Sequence, residues 1–312
     1  MAVDRITSVG RVLQFLDSAD YTHAAPHGAE LDHRQRDALG KAHDRLQQLD
    51  VAIVGVGGLG SPIAEQLVRM GVRTVTIVDH DVLDTPSNVR RMVGTTAADL
   101  RATTPPPKVD VVGRYLDHVG VGVPVQRIAG DVRLERVFRV LLDSDVVVCA
   151  TDTHGSRAIL NDLASIYMVP VIDVGVRAGA RLDELAALVA EVCILSPETP
   201  CLWCRGRISA DTISLENLPG DQRNLRLEEG YLTDGVGSPA PSVMALTMLG
   251  AGLAGCALLG LVSRESEVFP SGYWVDGLVG DSKVTEPTKP NQSCRCRRLI
   301  GTGDGEAPSF KV

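Results

Sequence analysis

Two rhythms of hydrophobic and polar positions alternate through the first half of the chain. Short apolar runs, mostly Val, Ile and Ala, recur at 51–55, 74–79, 123–128, 145–150 and 170–176. Such runs predict strands buried on both faces. Between them, apolar positions return every three or four residues near 59–70, from Lys108 onward, near 132–142 and over 155–167, which predicts helices. Strand followed by helix, repeated, implies right-handed crossovers and a mostly parallel sheet. A ligand of such a sheet sits beyond the C-terminal ends of the strands.

Outside this region the pattern differs. Residues 1–30 are mixed and weakly helical, and 31–49 read as a polar helix. The stretch 182–195 reads as one or two longer strands. Residues 205–240 are polar and hold Pro219, Gly220, Gly230, Gly235 and Gly237, a long loop of the kind usually tied to function. A helix over 243–262 is apolar almost throughout. A strand is expected around Tyr273, and the last dozen residues read as a frayed tail.

The first predicted strand runs into Gly55-Val56-Gly57-Gly58-Leu59-Gly60, and the second ends at Asp79. This is the sequence of a phosphate turn at a helix N-terminus, with an acid placed for a ribose. Gly55 would permit the tight turn, Gly57 the approach of backbone to phosphate, and Gly60 close packing of helix on strand. These features alone favour a dehydrogenase. The residues that follow shift the balance: Asp81, Asn88, Arg90, Arg91 and Lys108 fall on the same sheet edge. That many donors suit a triphosphate under attack at phosphorus better than a hydride-transfer site. One of the two adjacent arginines is expected to be an ordinary surface residue. Asp152, at the end of the strand over 146–150, is placed to hold Mg²⁺ on phosphates or to cap the next helix.

The net charge of −8 makes a nucleic-acid partner held by bulk basicity unlikely as a class. The first 30 residues carry Asp4, Arg5, Arg11, Asp17 and Asp20, which leaves no uninterrupted signal-peptide core, so a cytoplasmic protein with reduced cysteines is expected. The helix over 243–262 is long enough to cross a membrane. No Lys/Arg cluster flanks it, and the preferred reading is a helix buried on all sides, with small residues where it meets a sheet or partner subunit. Cys201-x-x-Cys204 and Cys294-x-Cys296 supply four thiolates in two close pairs, which suits a tetrahedral structural Zn²⁺. Cys149, Cys193 and Cys256 lie in apolar runs and are expected to be buried.

These pieces together resemble the E1-like adenylyltransferases, which include the molybdopterin and thiamine sulfur-carrier activators and the catalytic half of ubiquitin E1. The matching residues are His33-Arg34-Gln35, the glycine loop with Ser61, Asp79-His80-Asp81, Asn88-Val89-Arg90-Arg91, Lys108, Ala150-Thr151-Asp152 with Arg157 and Asn161, and Cys201-Leu202-Trp203-Cys204. They run from about Leu31 to Cys296. The chain departs from the family pattern at Met92, where glutamine is frequent, and at Pro105-Pro106-Pro107, where glycine usually precedes the lysine.

The resemblance implies a Rossmann-like, mostly parallel sheet extended by antiparallel strands, with a C-terminal zinc-stapled subdomain. The implied division is an N-terminal extension (1–30), an ATP-binding half (31–180), a substrate-tail half (181–300) and a flexible tail (301–312). The implied reaction is adenylation, at the expense of MgATP, of the C-terminal carboxylate of a small β-grasp protein or a peptide ending in glycine. Asp79 would bind the ribose; Gly57 and Gly58 would approach the phosphates; Asn88, Arg91 and Lys108 would hold phosphate oxygens; and Asp152 would position Mg²⁺. Arg34 would act as an arginine finger in the other subunit of a homodimer. Residues 205–240 contain no cysteine, so acyl-adenylate formation without an obligatory thioester is expected. The rival readings are adenylation of a peptide antibiotic precursor or a tRNA base, a dehydrogenase, an inactive partner subunit, and a membrane-anchored module. The adenylation reading requires one spatial fact: Arg91, Lys108, Asp152 and the loop 55–60 must surround a single triphosphate.

Overall fold

The computed structural model describes residues 4–7, 12–15, 29–181, 184–219, 222, 241–263, 270–285, 291 and 293–305. Its centre is an eight-stranded sheet. Five strands are parallel: β3 (Asp50–Val54), β4 (Thr74–Asp79), β5 (Val125–Ala129), β6 (Val146–Cys149) and the start of β7 (Val171–Arg181). Three more continue it antiparallel: β8 (Glu184–Leu195), β9 (Gly272–Asp276) and β10 (Asp281–Val284). The spatial order is β10-β9-β8-β7-β6-β3-β4-β5. The expected fold class, a mostly parallel sheet extended by antiparallel strands, is therefore the observed one.

The apolar runs are continuous because both faces of the sheet are covered. Val51, Ile53, Val146 and Val148 face one core cluster; Ala52, Val54, Val147 and Cys149 face the other. The first face is covered by α2 (Lys41–Leu46), α3 (Gly60–Met70), α4 (Lys108–Val119) and α8 (Met244–Val262). The second is covered by α5 (Glu135–Val140), α6 (His154–Ile166) and the knuckle at Cys201–Ile208. Helix α3 shows how the pattern is used. Ile63, Ala64, Leu67 and Val68 are buried along one stripe, and the helix ends at Gly71, whose φ of 74° closes it with a left-handed cap.

Four expectations need correction. Residues 1–30 hold no described helix before Ala29; instead β1 (Asp4–Thr7) and β2 (Val12–Phe15) pair antiparallel. The helix expected over 31–49 breaks at Gly40 (φ 52°) into α1 (Ala29–Leu39) and α2. Within 205–240, Ala210–Glu216 forms helix α7, capped by the Ser209 hydroxyl; residues 220, 221 and 223–240 lie outside the described set. Helix α8 is not buried on all sides. Gly250 lies against Val176 and Leu59, and Gly255 against Gln66, so glycine lets the helix approach the sheet and α3. Ala245, Met248, Gly252 and Cys256 form an exposed stripe on its opposite side. By length and mean hydropathy this helix could cross a membrane, but half of it is packed inside the fold.

Candidate functional site

The phosphate turn is built by two glycines that nothing else could replace. Gly55 has φ 89°, and a Cβ there would lie 2.8 Å from the Ala150 carbonyl oxygen. At Gly60 a Cβ would fall 1.8 Å from the Gly55 carbonyl oxygen. Gly57 differs: a Cβ there would meet nothing within 4 Å. No packing contact demands glycine at 57, so the space over its backbone is open at the N-terminus of α3. Gly58 lies against Arg91, with a would-be Cβ 3.2 Å from the arginine Cβ.

Asp79 ends β4 and is buried. One carboxylate oxygen accepts from the Val56 amide at 2.8 Å, the other from the Asp81 amide at 2.9 Å. It therefore ties the glycine turn to its own strand. Burial pushes its carboxyl up; the two backbone hydrogen bonds and the charge of Lys108 pull the other way, and burial prevails.

The prolines before Lys108 have a structural use. The Leu83 amide donates to the Pro106 carbonyl at 2.8 Å, Val82 and Pro107 form a bridge, and the Lys108 amide donates to the Asp81 carbonyl at 2.9 Å. This extended pairing starts α4 beside Asp81, and Lys108 Nζ reaches the Asp81 carboxylate at 2.6 Å. Asp81 is half exposed, whereas the Lys108 side chain is largely buried, so its ammonium needs an anionic partner there.

Asn88 is buried in the helical turn Pro86–Arg90 and accepts from Arg91 Nη2 at 3.0 Å. Arg91 Nε is buried without a hydrogen-bond partner. Arg90 is exposed, so the adjacent arginines divide as expected, Arg91 facing the loop. Ser61 joins the two segments: its hydroxyl donates to the Gly57 carbonyl at 2.8 Å and accepts from the Val93 amide at 2.9 Å.

Asp152 is exposed beyond β6 and makes no hydrogen bond or ion pair to a described residue. The cap of α6 is the next residue: Thr153 accepts from the Ser156 amide. The alternative role of Asp152 as helix cap is thus corrected, and its acceptor-only carboxylate fits a hard divalent cation. Its neighbour Thr151 lies against Gly55, which puts the β6 end beside the phosphate turn. Gly55, Gly57, Gly58, Gly60, Asp79, Asp81, Asn88, Arg91 and Lys108 are thus linked, contact by contact, around one loop, with Asp152 on the adjoining strand end.

Arg34 is not among them. It is exposed on α1, and α1 docks by Gln35, whose Nε2 donates to the Arg69 carbonyl at 2.7 Å, near the end of α3. That is the length of α3, about 15 Å, from the loop at its start.

Several residues outside the predicted site support it. Arg157 forms a fork on the buried Asp173, with Nε 2.9 Å and Nη2 2.5 Å from its two oxygens. Burial would lower the guanidinium, but Asp173 outweighs it and the net shift is upward. Burial, with Asp173 adding, pushes the Cys149 thiol up to about 12. Asn161 accepts from the Leu202 amide at 2.8 Å and so holds the cysteine knuckle. Glu216 of α7 accepts from the His154 and Gly155 amides, both at 2.8 Å, across the start of α6. Arg157 and Asn161 were among the residues that matched the family pattern; Glu216 carried no sequence signal.

Cys201, Cys204, Cys294 and Cys296 converge. Their sulfurs are 3.6 Å (201–204), 3.7 Å (201–294) and 4.0 Å (204–296) apart, and all lie within 4.8 Å of one another. Four sulfurs at about 2.3 Å from a tetrahedral ion would be about 3.8 Å apart, so the cluster could hold zinc. Hydrogen bonding from Cys296 draws the Cys201 thiol below its ordinary range, and the same bond holds Cys296 up. Cys149 and Cys193 are buried as expected; Cys256 is exposed on α8, a correction.

An α/β sheet with a glycine-rich turn at a helix N-terminus, a strand-end acid and flanking cations defines the class. The family model named ThiF family matches residues 33–296, and the chain belongs to that family. It is 31% identical over 160 residues to the sulfur carrier protein ThiS adenylyltransferase of Bacillus subtilis, covering 51% of this chain and 44% of that protein. It is 30% identical over 160 residues to the SAMP-activating enzyme E1 of Haloferax volcanii, covering 51% and 54%. The chain thus spans about half the length of these curated relatives. The crystal structure of MccB of E. coli with ATP superposes with a TM-score of 0.60 at 14% identity, over 82% of this chain and 68% of MccB, a likeness of fold.

Proposed function

We propose that the chain adenylates the C-terminal carboxylate of a small ubiquitin-like or sulfur-carrier protein, using MgATP and releasing pyrophosphate. The observation that carries this is the open space over Gly57, where a Cβ would meet nothing within 4 Å, on a loop linked contact by contact to Arg91, Asn88 and the Lys108–Asp81 pair. The relative named an adenylyltransferase and the one named an activating enzyme E1 support the reaction class.

In this reading the Gly57 backbone and the start of α3 bind phosphate oxygens. Arg91 and Lys108 neutralise charge, Lys108 by leaving Asp81 for the nucleotide. Asp79 keeps the turn shaped and offers its remaining lone pairs to the ribose. Asp152 would hold Mg²⁺, which supplies charge neutralisation on the phosphates. The substrate carboxylate oxygen forms a bond to the α-phosphorus as the bond to the bridging oxygen breaks, so the chemistry is positioning and charge stabilisation without a protein nucleophile. The four cysteines would hold a structural Zn²⁺. Arg34, stranded at the far end of α3, would serve the site of a second copy in a homodimer.

Exchange of labelled pyrophosphate into ATP tests this. Exchange that requires a β-grasp protein ending in Gly-Gly supports it; exchange with a short peptide alone would move the assignment to peptide adenylation; NAD(H) bound in preference to ATP would sink it. Mixing inactive Arg34→Ala and Lys108→Ala chains should restore about a quarter of the activity if the arginine works across the dimer.

A further inference from the structure

A cavity lies at the opposite end of the strands from the glycine loop, beside the starts of β4 and β5. It has a volume of about 300 Å³ and opens between α1, the C-terminal end of α3 and the connection from α4 to β5. Leu31, Val68, Val72 and Val123 give it apolar walls, and Gln35, Gln47, Arg69 and Arg73 line the rest. Asp32 is its buried carboxylate, and Gln47 Nε2 donates to its Oδ2 at 3.1 Å.

The surrounding arginines are committed elsewhere. Arg36 pairs with Asp44 at 3.6 Å, Arg69 with Glu65 at 2.7 Å, and Arg73 with Asp50. Among the described residues the one ionisable group within 4 Å of Asp32 that could carry positive charge is His43, with Nε2 at 3.8 Å. That imidazole is fully buried, and both its ring nitrogens lack hydrogen-bond partners. Burial, above all, holds it below the usual histidine range despite Asp32, so it stays neutral. With Arg69 and Arg73 each held by another carboxylate, the buried Asp32 carboxylate is left without a paired cation in a partly apolar cavity, where a cationic ligand would compensate it. The last carbonyls of α3 add negative potential at the same mouth.

We propose that this cavity binds a small aliphatic cation, a primary ammonium or guanidinium on a short alkyl body, with Asp32 as counter-ion and the valines around its chain. The site stands apart from the adenylation reading. The ligand would bridge α1 to the end of α3.

The test is calorimetric titration of the full chain with n-butylguanidinium and n-butylammonium, with butyrate and 1-butanol as controls at matched ionic strength. Saturable binding of the cations alone is expected, weakened at least about tenfold by Asp32→Asn. Should that variant not fold, Val123→Phe, which fills the space and leaves the charge, must abolish binding. Affinity unchanged over a roughly hundredfold range of protein concentration identifies a free ligand. Affinity that weakens as the protein is concentrated means that a side chain of a second copy fills the cavity, which overturns the small-molecule assignment. No cation binding, equal binding of butyrate, or binding indifferent to both variants overturns the site.

Discussion

The glycine loop separates a folding glycine from a binding glycine, and the two can be told apart by experiment. At Gly60 an added methyl falls 1.8 Å from a backbone oxygen, far inside any allowed contact. Relief requires α3 to move off β3 by more than 1 Å, and overpacking of that severity costs about 3 kcal/mol or more. Gly60→Ala should therefore lower stability by that amount. At Gly57 an added methyl meets nothing within 4 Å, and its φ lies outside the left-handed range. Gly57→Ala should leave stability unchanged or raise it by up to about 1 kcal/mol, through the lower entropy of the unfolded chain. The methyl would instead stand where phosphate approaches the backbone. Loss of one charge-assisted hydrogen bond, about 1.5–3 kcal/mol, weakens ATP binding about 10- to 150-fold. Urea denaturation reads the first quantity and calorimetric titration with ATP the second. If Gly57→Ala binds ATP within about twofold of the parent protein, the phosphate does not sit over this residue and the site assignment fails.

Three further outcomes follow from the geometry. Arg157→Met and Asp173→Leu each strand a buried charge and should cost about 3–5 kcal/mol in urea denaturation, while the double variant costs less than their sum; simple additivity would show that the pair is not coupled. Metal analysis should find one zinc per chain, and Cys201→Ser should lower Tm while ATP affinity persists; a metal-free protein of equal Tm would refute the staple. Because burial raises the Asp79 carboxyl in the folded state, its ionisation penalises folding as pH rises from the unfolded value through the folded one, and below the unfolded value the penalty is absent. The stability of Asp79→Asn relative to the parent should accordingly climb across that window and level off above it; a flat difference would show that the carboxyl titrates alike in both states.

Much of this protein was written in its order of residues. The core strands were legible because a sheet covered on both faces demands uninterrupted apolar runs, as at Val51–Val54 and Val146–Cys149. Gly55, Gly60 and Asp79 were legible because a tight turn and a strand-end acid need particular residue types at fixed spacing. The paired cysteines were legible as one four-thiol cluster for the same reason. What remained unread depends on partners far away in the chain. Strand β10 (Asp281–Val284) has all four residues exposed and is held by pairing with β9, so no apolar pattern marks it. Asp152 and Thr153 are both capping types; where β6 ends decided that Thr153 caps and Asp152 stays free.

Helix α8 is apolar on every side, so periodicity could not say that Cys256 would face out; the contacts of Gly250 and Gly255 with β7 and α3 fixed its rotation. The Arg157–Asp173 fork and the seat of Glu216 on α6 join residues 16 and about 60 positions apart, and only the folded chain brings them together. The sequence thus determined local geometry and the chemical inventory, because these depend on residue type and short-range spacing. The tertiary structure decided which groups share a cavity and which charges are paired, because those depend on distances that chain order does not encode.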